Sequence, residues 1–96
     1  MLRRVQARDG TIDKKLKKFK TDKTIIDSYL RALEDLKNVP DPTQVGERKH
    51  GRFRYCFAIH ITKNHSLVYL YYRDQDLVQL IDLDDHKTLF GRDNRA

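Results

Sequence analysis

The sequence predicts a single α+β domain, with two N-terminal helices packed on a twisted, mainly antiparallel sheet. Apolar residues recur at helical spacing as far as about Asn38, and from Phe53 onward they change to strand alternation. The strand-like runs are separated by turns of a few residues, which join antiparallel neighbours and leave no room for a crossover. A chain of 96 residues supports one core. It divides into a strand-and-helix segment over 1–38, a loop over 39–52, and a meander with a C-terminal motif over 53–91.

Leu2 and Val5 fit a short first strand, and Asp9-Gly10 is a turn signal before a helix starting at Thr11 or Asp13. Ile12, Leu16 and Phe19 form its apolar stripe, with Lys14, Lys15, Lys17, Lys18 and Lys20 around the remaining faces. Thr21-Asp22 can cap a second helix, whose stripe is Ile25, Ile26, Tyr29, Leu30, Leu33 and Leu36. Val39-Pro40-Asp41-Pro42 ends it, because each proline disfavours helix in the residue before it. Residues 43–51 then read as a polar loop with His50 near its end.

In the run that follows, alternation places Phe53, Tyr55, Phe57, Ile59 and Ile61 on one face of a strand and Arg54, Cys56, Ala58 and His60 on the other. A hairpin turn at Lys63-Asn64-His65 leads to residues 67–72, apolar on both faces as a central strand is. A second turn at 73–76 leads to a strand over 77–83. The last ordered stretch, from Asp84 to Gly91, fits a capped helical turn or a final short strand, and residues 92–96 are expected to fray.

Composition narrows function. Lys and Arg total 20 against 14 Asp and Glu, a formal charge of +6 that favours polyanions, acidic proteins or anionic membrane surfaces, of which nucleic acid needs the fewest assumptions. Cys56 is the single cysteine, which excludes an internal disulfide and a multi-cysteine zinc site and suits a reducing compartment. No run approaches the ~20 apolar residues of a membrane span, so a soluble cytoplasmic protein is expected. All four histidines, His50, His60, His65 and His86, lie in the second half. Imidazoles titrate near working pH, so such a set on a basic sheet suits proton transfer. Their spacing matches no recognised metal-ligand pattern, and no metal or other cofactor is indicated.

The order strand, two helices and three-strand meander, ending in Asp85-His86-Lys87-Thr88-Leu89-Phe90-Gly91, resembles the YafQ branch of the RelE/ParE superfamily of bacterial toxins. That branch ends in a Thr-His-x-x-Leu-Phe-Gly type motif, which His86, Leu89, Phe90 and Gly91 match, with Asp85 in place of the threonine. Upstream, His60 matches the family's histidine, Asn64 falls where the family has an acidic residue, and Leu67-Val68-Tyr69 stands for its Ile-Tyr strand.

The resemblance implies the toxin of a type II toxin-antitoxin system: a ribosome-dependent endoribonuclease that cuts messenger RNA and is silenced by a cognate antitoxin. Its expected partners are that antitoxin, mRNA on the ribosome and ribosomal RNA, with operator DNA reached through the antitoxin and no membrane involved. Its reaction, attack of a ribose 2′-OH on the adjacent phosphate, needs a base, an acid and cationic stabilisation, without a metal. On this reading His86, His60 and His50 are the catalytic candidates, and Arg54, Phe90 and Asn64 the substrate-binding ones. Arg54 offers a planar fork to phosphate, and Phe90 a stacking surface for a base. Asn64 can hydrogen-bond but cannot take a proton. The rival structural readings are a histidine capping a terminal helix for His86, one half buried under the tail for His60, a solvated side chain for Arg54, and a hydrophobic pin for Phe90. Two other functions stay open: a ParE-like poison of DNA gyrase, which lacks the histidine set, and a non-catalytic RNA-binding module.

Overall fold

Two periodicities, helical up to Asn38 and strand-like from Phe57, lay down two layers. The computed structural model describes residues 2–91. In chain order the elements are β1 (Arg4–Ala7), α1 (Thr11–Lys18), α2 (Lys23–Asn38), β2 (Glu47–Arg48), β3 (Phe57–Thr62), β4 (His65–Tyr72), β5 (Leu77–Asp85) and α3 (His86–Phe90). The strands form one five-stranded sheet in the order β1-β5-β4-β3-β2. β1 pairs with β5 in parallel, and the other pairs are antiparallel. β4 is therefore central, and its Leu67, Val68 and Tyr69 are fully buried, as a run apolar on both faces requires.

α2 begins where the Asp22 carboxylate accepts the Ile25 N–H at 3.2 Å. Its buried face is Ile25, Tyr29, Ala32 and Leu36, spaced four, three and four. Leu30 departs from the expected stripe: it is exposed, because it lies about 100° around the helix from Tyr29, and the smaller Ala32 takes the inward position. With Ile12 of α1 this face packs on Ile61, Leu67, Tyr69, Val78, Leu80 and Leu83 to make the main core.

On the opposite sheet face a smaller cluster forms from Phe53, Cys56, Ala58, Val68, Ile81 and Leu89, with Leu70 and Phe90 packed against it. Here the structure corrects the expected strand. Gly51–Phe53 form a 3-10 turn, Gly51 sits at φ +67° and Tyr55 at φ +75°, and β3 starts only at Phe57. A bulky residue in left-handed backbone cannot continue a strand. The turn brings Phe53 and Cys56 together under Leu89 and leaves Arg54 exposed on a loop.

The expected polar loop likewise holds a 3-10 turn at Pro42–Gln44 and the two-residue β2, with Pro42 buried where its carbonyl accepts the Tyr69 hydroxyl at 2.7 Å. Burial pushes the Tyr69 phenol up to about 12. The tail takes the helical alternative, capped by Asp85, whose carboxylate accepts the Thr88 N–H at 2.7 Å. Residues 92–96, expected to fray, lie outside the described residues. Among the described residues no helix is long and apolar enough to cross a membrane.

Candidate active site

Register decides which side chains meet. In the β3–β4 ladder His60 stands opposite Ser66, and in the β4–β5 ladder Ser66 stands opposite Asp84, so the three form one row across the sheet. The chain then turns back over that row. The His86 N–H, first in α3, donates to the Asn64 carbonyl at 2.8 Å, which ties the start of the helix to the β3–β4 turn. The His86 ring comes down beside His60, with centroids 5.1 Å apart, and its Nε2 lies 2.8 Å from Ser66 Oγ.

One helical turn on, Phe90 lies 5.9 Å from the His86 ring and meets Phe53 edge-on at 5.8 Å. The Lys49 ammonium sits 4.5 Å from the Phe90 ring centre. His65, next to Ser66 on β4, has its Nδ1 2.7 Å from Thr62 Oγ1 and its ring 5.4 Å from Phe19.

His60 is exposed, whereas His86 is half-buried. Desolvation holds the His86 imidazole below its ordinary 6.5, and the positive charges of His60, Lys49 and His65 act in the same direction, against a smaller opposing pull from Asp85. Near neutral pH the His86 ring is thus an uncharged base beside a solvent-accessible imidazole. Two such rings within reach of a cation and an aromatic face can move a proton to and from an anionic substrate.

Of the residues singled out from sequence, His86, His60 and Phe90 come together. Phe90 packs on the second cluster, as its hydrophobic-pin reading requires, and its ring also lies 5.9 Å from that of His86. Asn64 takes part through its backbone, and its side chain is exposed on the turn. His50 is exposed on the loop, just ahead of the 3-10 turn. Arg54 is corrected: it does not share a strand face with His60, and its guanidinium lies over Tyr55 at 5.5 Å. Sequence reasoning missed Ser66 and Lys49. The signal for Ser66 was present, as the polar residue at the head of an otherwise apolar central strand. Lys49 had none, lying in a loop of mixed charge.

No family model matches the chain, and no curated protein matches it in sequence. Solved structures do match in shape. A mutant of YafQ from E. coli is 18% identical with a TM-score of 0.75, the alignment covering 93% of this chain and 99% of that one. The RelBE2 toxin-antitoxin complex from Mycobacterium tuberculosis is similar at 19% identity and a TM-score of 0.70, over 88% of this chain and 92% of that one. A metal-bound toxin from Helicobacter pylori matches at 19% identity and a TM-score of 0.67, over 94% and 100%. At such identities the likeness is one of fold: the chain has the RelE-like fold. Among its described residues no group of three or more His, Cys, Asp and Glu side chains is placed to hold a metal ion.

Proposed function

We propose that this chain is a RelE-superfamily toxin with the motif of the YafQ branch. It acts as a ribosome-dependent endoribonuclease that cuts messenger RNA in the cytoplasm and is held silent by a cognate antitoxin. The observation that carries the reading is the His60–His86 pair, rings 5.1 Å apart, beside Lys49 and Phe90. The fold shared with toxins, and the His86-x-x-Leu89-Phe90-Gly91 ending, support it.

In this mechanism His86, kept neutral, removes the ribose 2′-OH proton. The 2′-oxygen bonds to the adjacent phosphorus, the bond from phosphorus to the 5′-oxygen breaks, and His60, as the general acid, supplies the proton that the leaving oxygen takes up. The products are a 2′,3′-cyclic phosphate and a 5′-hydroxyl. Lys49 offsets the charge that builds on phosphate, and Phe90 presents a face on which a base stacks. The exposed Lys14, Lys17 and Lys20 of the α1 region suit ribosomal RNA phosphates or an acidic antitoxin segment.

The test is to map message ends on translating ribosomes with purified protein. Cyclic-phosphate ends are expected, and His86→Ala and His60→Ala should each slow cleavage by roughly 10²–10⁴-fold while melting as the parent does. Uncut message at stoichiometric protein sinks the nuclease reading. Lost gyrase supercoiling in that same preparation would transfer it to the ParE-like alternative.

A further inference from the structure

We propose that Ser66 is the positioning residue of the site. Its hydroxyl oxygen accepts the His86 Nε2–H and so turns the Nδ1 lone pair toward the substrate. The inference rests on the acid-base reading of His60 and His86. Ser66 is only 2% exposed, and with Asp84 it makes up the buried polar side chains among the described residues. The Asp84 oxygens are taken up by Lys15, Lys18 and the Asp85 N–H. Ser66 Oγ instead faces His86 Nε2 at 2.8 Å.

The serine cannot swing away. It stands on the central strand, flanked by His60 on β3 and Asp84 on β5, and a buried hydroxyl without a partner is costly. The histidine is also fixed through its backbone, whose N–H donates to the Asn64 carbonyl, and through the contact of its ring with Phe90.

Chemistry chooses the direction of the bond. A neutral imidazole carries one ring proton, and a base must keep the other nitrogen bare. With the proton on Nε2 and given to Ser66, Nδ1 is free to receive the 2′-OH proton. When it has done so, Nε2 still carries its hydrogen, so the Ser66 bond persists through the step and the ring does not have to reorient. A misplaced ring costs about 100-fold, so the hydroxyl acts on rate through His86 and leaves message binding alone.

The experiment pairs kinetics with nitrogen-15 NMR of the full chain. The parent protein should show a single neutral His86 tautomer, Nε2 protonated and Nδ1 bare. In Ser66→Ala the Nε2 proton should exchange with water at least tenfold faster, kcat for cleavage should fall roughly 10–100-fold, and KM should stay within about twofold. Ser66→Cys, close in size with a weak acceptor, should behave as Ser66→Ala does, and Ser66→Thr should restore most of the rate. If Ser66→Thr fails to fold, Ser66→Cys still separates the hydroxyl from side-chain volume.

A parent protein with Nδ1 protonated overturns the proposal. So does a Ser66→Ala protein that cuts at the parental kcat with an unchanged ring signature. A parent that cuts no message at all removes the nuclease reading and this role with it, and so differs from failure of Ser66 alone.

Discussion

At the scale of single residues, His86 is governed by its neighbours' charges, and that makes its titration a direct probe of the pair. Desolvation lowers it and the His60 charge lowers it further, so removing His60 should let it rise. In His60→Ala the His86 pKa, followed by NMR titration, is expected to move up toward 6.5, and a value unmoved or lower would contradict the pairing. The sign for stability follows from linkage. With the folded pKa below 6.5, the unfolded chain takes the proton first, so the protein loses stability as pH falls through the window just below 6.5 and gains nothing above it. His86 and His60 were legible because one lies in a motif and the other in a clean alternation. Arg54 was misplaced because Phe53-Arg54-Tyr55-Cys56 alternates as a strand would, and only the positive φ at Gly51 and Tyr55 reveals the turn.

At the scale of elements, α1 shows how a helix too short to persist alone is retained. It runs over Thr11–Lys18 and buries Ile12 fully, with Leu16 and Phe19 partly buried beside it. The rest of its attachment is ionic: Lys15 Nζ reaches Asp82 and Asp84 at 2.8 Å each, and Lys18 Nζ reaches Asp84 at 2.9 Å. Burial opposes ionisation of Asp84, but the two lysines and the Asp85 N–H outweigh it and hold the carboxyl below its usual value. Asp84→Asn should therefore destabilise the protein by roughly 2–3 kcal/mol at pH 7. That is less than the ~3–5 kcal/mol of breaking a wholly buried pair, since Lys18 is about half exposed. The parent's advantage is present above pH 3.8 and disappears as pH falls through the lowered Asp84 pKa, so the two proteins should converge in acid. Urea melts at neutral and acid pH check this, and a difference that persists unchanged in acid refutes it. The lysine run looked from sequence like one basic surface, yet Lys15 and Lys18 are taken up by ion pairs with Asp82 and Asp84. Elements with a sustained period, α1, α2, β4 and β5, were legible. The two-residue β2 and the parallel pairing of β1 were not, because neither leaves a periodic trace.

At the scale of the whole molecule, the sheet is closed at one edge by a strand with little to bury. β1 exposes Arg4, Gln6 and Ala7, and only Val5 is half covered, so apolar burial alone holds it weakly against β5. Arg3 supplies the rest. Its guanidinium donates to Asp76 Oδ1 at 2.7 Å, to the Leu36 carbonyl at 2.7 Å and to the Pro40 carbonyl at 3.2 Å, and lies 5.6 Å from the Tyr71 ring. One side chain thus joins the start of β1, the end of α2 and the turn between β4 and β5. It also meets carbonyls at the negative end of the α2 dipole. Arg3→Ala should cost about 2–3 kcal/mol and should release β1 before the rest of the sheet. Amide exchange at Val5 and Ala7 should accelerate, while Val68 and Tyr69 on the central strand exchange only through global unfolding. Arg3→Lys should recover only part of the loss, since an ammonium cannot span three acceptors with a planar fork. His60, on β3, and His86, at the start of α3, lie away from this edge, so below the melting temperature both variants should keep their cleavage rate. Unchanged stability together with parental protection of β1 would show that the strand is held by its ladder alone.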